Sequence, residues 1–300
     1  MKKKTYLFAL MAMALTLGSC SDNENGIGGE TSKYITVSTS IGNMTRVATD
    51  AKGGQTFEEG DEISVYAWTG DATIAPDASE RVVNNAINKL TNGSWVSTPQ
   101  MLWKNNRDKH YFIGVYPTAA ISDLSAGEYT FDANKQTESD LLVAVNPDGL
   151  SYSADAQQTV PLTFTHVMAK LAVNLTYKNQ WGGIPTVEKV VVGNAAKEAT
   201  INYLTKVVTP STTAKEDFSL PEITENTKYV SVIIPQEDVK QLTIVIGGKN
   251  FVYDNGTPFK LESGKITTVN LEVGRDEIKL GDVKITNWED GSTFSGEALN

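Results

Sequence analysis

The sequence predicts an all-β protein of sandwich type, and three observations carry that prediction. Thr, Val and Ile supply about a quarter of the 300 residues, while long Ala/Leu/Glu/Lys stretches are scarce. Apolar and polar residues alternate with a period of two in many short runs, the pattern of strands that bury one face. Turn dipeptides separate those runs and no regular helix alternates with them, which selects a sandwich over a parallel sheet.

Taken in chain order, the first element is an address. Met1-Lys2-Lys3-Lys4 is basic, and Tyr6 to Leu17 is an apolar run of a dozen residues. A bilayer span needs ~20 residues, so residues 1–19 read as a signal peptide. Leu17-Gly18-Ser19-Cys20 resembles the lipobox of bacterial lipoproteins, which implies cleavage before Cys20 and its acylation, palmitate included. Residues 20–33 are polar, Gly-rich and acidic, with Asp22, Glu24 and Glu30, and read as a flexible tether. Acidic residues directly after the cysteine are also similar to the surface-export signals of Bacteroidales lipoproteins.

The body then reads as strands. Ile35, Val37, Thr39 and Ile41 alternate with Thr36, Ser38 and Ser40. Ile63, Val65 and Ala67 repeat the pattern after the Gly60-Asp61 turn signal. Further runs are 111–116, 141–145, 160–164, 171–177, 187–192, 229–234, 242–246, 266–273 and 278–285. Between them fall Asn92-Gly93, Asp148-Gly149, Gly247-Gly248, Asn255-Gly256, Ser263-Gly264 and Asp290-Gly291. Residues 81–90 fit an amphipathic helix and a strand equally. The polar interval 147–158 is the least strand-like, so the domain boundary is placed there. It divides the body into an N-terminal sandwich, 34–152, and a C-terminal sandwich, 153–300.

Composition narrows the chemistry. A formal charge of −10 argues against nucleic acid, whose phosphates need a basic face. One cysteine and two histidines exclude an intrachain disulfide, Cys-rich zinc sites and Cys/His nucleophile pairs. Gly26-Ile27-Gly28-Gly29 lies in the tether without the strand–helix context of a phosphate loop. His166, in Phe164-Thr165-His166-Val167-Met168, reads as a packed and hydrogen-bonded residue, and His110 as a solvated turn residue. The five tryptophans (Trp68, Trp95, Trp103, Trp181, Trp288) could line a carbohydrate platform, but core or sheet-edge packing is the stronger reading. No catalytic residue, metal site or cofactor is expected, and the chain is not read as an enzyme.

Six stretches in fixed order carry a resemblance. Phe57-Glu58-Glu59-Gly60-Asp61-Glu62-Ile63-Ser64-Val65-Tyr66-Ala67 resembles the Phe-x-x-Gly-Asp-x-Ile-x-Val-Tyr signature of the fimbrillin (Mfa-like) family of Bacteroidales pilins. Trp103 with Tyr111 to Pro117, Asp140 to Ala144, Phe164 to Leu171, Val232 to Gln236 and Ile278 to Trp288 agree with the same family in the same order.

That resemblance implies two tandem transthyretin-like β-sandwich domains and a structural role as a stalk or tip subunit of an adhesive fimbrium. It implies a surface-exposed outer-membrane lipoprotein precursor whose mature form sits in the fimbrium. Assembly would start when an Arg-specific protease cuts between Arg46 and Val47 and removes the first strand, 34–46. The displaced row is Ile35, Val37, Thr39 and Ile41, and a strand from another pilin subunit takes its place. The candidate donor strand, 277–288, carries Ile278 and Leu280 in one phase and Val283 and Ile285 in the other. Gly281-Asp282 is therefore expected to form a bulge or turn. The competing reading is a monomeric surface lipoprotein that binds glycan or host protein through its loops and tryptophans.

Overall fold

A computed structural model describes residues 33–42, 56–153, 158–254 and 256–288; Cys20, Arg46 and Val47 lie outside them. The described residues are all β apart from one helical turn, Asn179–Trp181. The first strands are β1 (Thr36–Ile41), β2 (Glu62–Thr69), β3 (Val83–Thr91), β4 (Ser94–Thr98) and β5 (His110–Tyr116). Next come β6 (Gly127–Thr130), β7 (Leu142–Leu150), β8 (Thr159–His166) and β9 (Ala169–Tyr177). They are followed by β10 (Val187–Ala196), β11 (Glu198–Asn202), β12 (Val207–Pro210), β13 (Lys215–Ser219) and β14 (Glu222–Thr224). The described chain ends with β15 (Lys228–Ile233), β16 (Gln241–Ile246), β17 (Lys249–Asp254), β18 (Lys265–Val273) and β19 (Ile278–Asn287).

The N-terminal strands form a seven-stranded sheet of order β1-β8-β7-β5-β2-β3-β4. Every pair is antiparallel except β1–β8, which runs parallel. Strict alternation gives this sheet two apolar faces. Ile63, Val65, Ala67, Phe112, Ala144 and Leu162 enter a smaller core with Ile35 and Val37. Tyr66, Trp68, Ile113, Val115 and Val143 turn the other way, into a larger core shared with the remaining sheets. Those sheets are β13-β10-β16-β17, β14-β15-β9-β18-β19 and the small β12-β11-β6. The small sheet joins the two halves of the chain, because β6 pairs with β11 from Thr130↔Glu198 to Gly127↔Ile201.

Turn chemistry fixes two hairpins. Asn92-Gly93 and Gly247-Gly248 hold paired positive φ angles of 52°, 72° and 57°, 72°, the tight primed turn that matches strand twist. Asp148-Gly149 behaves otherwise. Expected as a turn, it lies inside β7, where the pairing with β5 shifts register between His110 and Phe112. Gly149 takes φ +64°, and a Cβ there would stand 2.8 Å from the Tyr111 ring, so the site needs glycine. The interval expected to carry the domain boundary thus joins β7 to β8 within one sheet, and after the excursion of β6 the chain leaves that sheet for good only after His166. Residues 81–90, balanced between helix and strand, resolve as strand: Val83 and Ala86 are buried on β3, which pairs with both β2 and β4.

Arg81, just before β3, is 8% exposed. Its guanidinium donates to the carbonyls of Pro76 (3.2 Å), Ile121 (2.8 Å) and Ser122 (2.5 Å) and to Asn84 Oδ1 (3.0 Å). It also lies 5.5 Å from the centre of the Tyr66 ring. Four acceptors and an aromatic face are what a buried guanidinium requires, so this arginine ties the 119–122 loop to the sheet.

Candidate functional site

The strand expected to be displaced is an edge strand with a buried row. β1 is paired along one side only, in a regular parallel ladder running from Thr36↔Thr159 to Ile41↔Phe164. Its inward side chains Ile35 and Val37 are 2% and 6% exposed, and Ile41 packs on the same core. Its outward hydroxyls meet those of β8, Thr36 Oγ1 to Thr159 Oγ1 at 3.2 Å and Ser40 Oγ to Thr163 Oγ1 at 3.1 Å. On the open side the sheet curls until β4 faces β1. Trp95 Nε1 donates to Thr39 Oγ1 at 3.0 Å, and the Ile35 and Trp103 amides donate to Met101 O (3.0 Å) and Lys33 O (3.1 Å). Between β1 and β4 a cavity of ≈ 810 Å³ remains, lined by β1 itself, Phe57, Leu90 and Trp95.

Phe57 closes the far end of this groove. Its ring stands edge-on to Trp95 (5.3 Å), Tyr116 (5.3 Å) and Phe164 (5.1 Å). Three such edge-on contacts hold the ring in place. The Phe57-to-Asp61 motif is thereby explained: Gly60 turns the chain at φ +98°, and the Asp61 carboxylate accepts the Glu58 amide at 2.7 Å and the Tyr116 hydroxyl at 3.3 Å.

The candidate donor strand is also an edge, but an open one. β19 pairs only with β18, and its register shifts so that Leu280 faces Leu271 while Asp282 faces Asn270. Gly281 is the extra residue of a bulge. The bulge expected at Gly281-Asp282 is therefore present, and it repairs the phase break. Ile278, Leu280, Val283 and Ile285 lie opposite Val273, Leu271, Val269 and Thr267, so the bulge brings all four onto one face. That face stays partly open: Leu280, Val283 and Ile285 are 38%, 37% and 39% exposed.

Trp288, directly after β19, is buried and stacked on His166, with ring centres 4.0 Å apart and planes 8° apart. Lys170 Nζ lies 4.2 Å from the centre of the same indole. His166 Nδ1 is 2.7 Å from Asp140 Oδ1, so this histidine is packed and hydrogen-bonded as expected. His166, Asp140 and Lys170 border a second cavity of ≈ 470 Å³ that reaches Ile41, Phe57 and Asp61.

His110 corrects the reading of a solvated turn residue. It opens β5 fully buried, edge-on to Trp103 at 5.0 Å. Nε2 accepts the Lys104 amide at 3.0 Å, which leaves Nδ1 to donate to Asp108 O at 3.1 Å. Burial holds this imidazole below its ordinary range, and it works as a neutral linker. Trp68, Trp103 and Trp288 are buried, and Trp95 and Trp181 are half-buried, with Trp181 Nε1 donating to Val273 O at 3.0 Å. No tryptophan platform faces solvent among the described residues. No group of three or more His, Cys, Asp or Glu side chains among them is placed to hold a metal ion. No helix among them is long and apolar enough to cross a membrane.

The two candidate strands are thus both sheet edges, β1 with a partly buried row beside a groove and β19 at the C-terminal end of the described chain. The fimbrillin-like family profile matches residues 45–288, and the chain belongs to that family. It is similar over 97% of its length, at 24% identity, to a curated relative from Bacteroides uniformis named "Putative fimbrium subunit Fim1C", of which 97% is covered. Two crystal structures of proteins described as "putative cell adhesion protein" share the fold. The one from Bacteroides ovatus aligns with TM-score 0.62 at 18% identity, over 85% of this chain and 98% of that one. The one from Bacteroides uniformis aligns with TM-score 0.59 at 18% identity, over 86% and 100%.

Proposed function

We propose that this chain is a structural subunit, stalk or tip, of a cell-surface fimbrium that supports adhesion and assembles by protease-triggered strand exchange. One observation carries the reading: β1 fills an apolar core yet is held by backbone pairing on one side, and the chain beyond it contains Arg46. Cutting between Arg46 and Val47 would free residues 34–46. Loss of Ile35, Val37, Thr39 and Ile41 would then bare the inner row of the smaller core and the unpaired edge of β8. Such an edge is a template for an incoming strand, with main-chain hydrogen bonds for affinity and side-chain pockets for selectivity. An Arg-specific protease and neighbouring pilins are the partners this scheme requires. In the precursor, lipid on Cys20 would tether the chain to the outer membrane until the cut releases the body. Two transthyretin-like sandwiches in tandem fit the strand content, with the crossing at 167–168, where sheet membership changes.

The test is Arg46→Ala. The precursor should fold normally, resist an Arg-specific protease at this bond and yield monomers alone, whereas wild-type chains should give heat-resistant polymers on gels and filaments in electron micrographs. Filaments formed by Arg46→Ala at the wild-type rate would refute the scheme.

A further inference from the structure

We propose that Trp288 is the clasp that retains the C-terminal strand β19, and that His166 is the residue that positions it. β19 is weakly embedded. From Lys279 to Asn287 every residue is exposed, and β18 is its one pairing neighbour in the sheet. Ladders at an open edge exchange with water by local opening, which needs few buried groups to be lost. The buried group at the end of this strand is Trp288, 3% exposed, whose amide also donates to Gly264 O at 2.9 Å. Opening β19 from its C-terminal end therefore requires this indole to leave a slot where it touches the His166 ring and the Lys170 ammonium.

Lys170 belongs to β9, in β19's own sheet, but the stacking wall of the slot comes from the other sheet. His166 is the last residue of β8, the strand that carries β1, and Asp140 fixes its ring through the 2.7 Å contact at Nδ1. A carboxylate holding one imidazole nitrogen sets the ring plane, and a nearly parallel stack depends on that plane. The fold thus links the strand expected to leave and the strand expected to donate through one residue. This inference rests on the strand-exchange reading for its consequence alone: a strand that donates must first come free.

Hydrogen–deuterium exchange on the uncut, monomeric full chain tests it without any polymerisation step. In Trp288→Ala, amides of 279–287 should exchange about tenfold faster, as expected when an anchoring contact of a local opening unit is lost. Amides of β15 and β10, deeper in the sheets, should keep wild-type rates. His166→Ala should give the same pattern, and Trp288→Phe, which retains an aromatic face, should fall between. Unchanged exchange over 279–287 in Trp288→Ala would overturn the clasp, as would an equal acceleration across β10, β15 and β19. Should Trp288→Ala fail to fold, Trp288→Phe and His166→Gln decide by the same criterion. Failure of Arg46→Ala to block polymerisation would sink strand exchange and leave this result standing.

Discussion

β1, with Ile35 just before it, and β19 are both edge strands with four-residue inward rows, yet the first half of one row is covered and the other row lies half open. Ile35 and Val37 are 2% and 6% exposed, against 37% to 39% for Leu280, Val283 and Ile285. Sequence alternation is similar in the two. The difference comes from what stands across the row. The seven-stranded sheet curls until Trp95 and Met101 close over β1, whereas β19 ends its sheet with one neighbour, β18. Alternation specifies which side chains share a face; sheet curvature decides whether that face is sealed. The strand whose removal is proposed is thus the better buried of the two, so its loss leaves a site that demands replacement.

The sharpest way to break this comparison is a matched pair of truncations. Ile35→Ala removes a sealed side chain and should cost about 3 kcal/mol, within the range for buried Ile→Ala changes. Ile285→Ala removes one that water already reaches and should cost about 1 kcal/mol or less. Urea titration of the uncut chain measures both. Equal losses would mean that β19 is as deeply embedded as β1 and would remove the asymmetry.

The same asymmetry marks how far the sequence could be read. Eleven runs of alternating or continuous apolar residues each became a strand, since burial of one or both faces leaves its trace in the sequence. The strands that went unread, β4, β6, β11, β12, β13, β14 and β17, are short and polar or sit at sheet edges. β17 could have been found from the Gly247-Gly248 hairpin and the alternation of Phe251 with Tyr253. At the candidate site, the row on β1 was legible. The bulge that unites the row on β19 was inferable from the phase break at Gly281-Asp282, but its effect was not, because it depends on the partner register along β18. Trp288 on His166, Trp95 on Thr39 and the buried Arg81 join residues far apart in sequence, and no local pattern encodes such pairs.

A smaller effect should appear with pH at the β1 core. His110 is buried, neutral and packed on Trp103, whose amide is bonded to Lys33 O at the entry to β1. Its pKa is lowered in the folded chain by burial, while the unfolded chain titrates near the ordinary ~6.5. As pH falls below that value the unfolded state takes up a proton that the folded state refuses, so stability drops toward acid. One proton bounds the slope at ~1.4 kcal/mol per pH unit. Comparing wild type with His110→Asn between neutral and mildly acid pH should show this part of the slope disappearing, whatever the offset in absolute stability. Identical slopes would place His110's titration outside the stability of this region.

The smallest effect on stability, and the most informative about β19, should come from deleting Gly281. Residues 278–280 and 282–287 already have partners on β18 on either side of the bulge, so removing the extra residue leaves those pairings available. The strand then reads Ile-Lys-Leu-Asp-Val-Lys-Ile in unbroken alternation, with the apolar row still on one face. Monomer stability should shift by about 0.5 kcal/mol or less. What changes is the edge. A bulge twists an edge strand and interrupts the row of free backbone groups that another strand could pair with, and a long regular edge invites such pairing. The deletion should therefore raise concentration-dependent self-association of the uncut chain in sedimentation velocity. Gly281→Ala serves as the control: it keeps the extra residue, and its Cβ would lie 3.2 Å from Asn270 O, tight enough for a small local adjustment. A deletion variant that stays as monomeric as wild type would confine the bulge to setting the phase of the row. An associating one would mean that β19, the less buried edge, is guarded by geometry where β1 is guarded by burial.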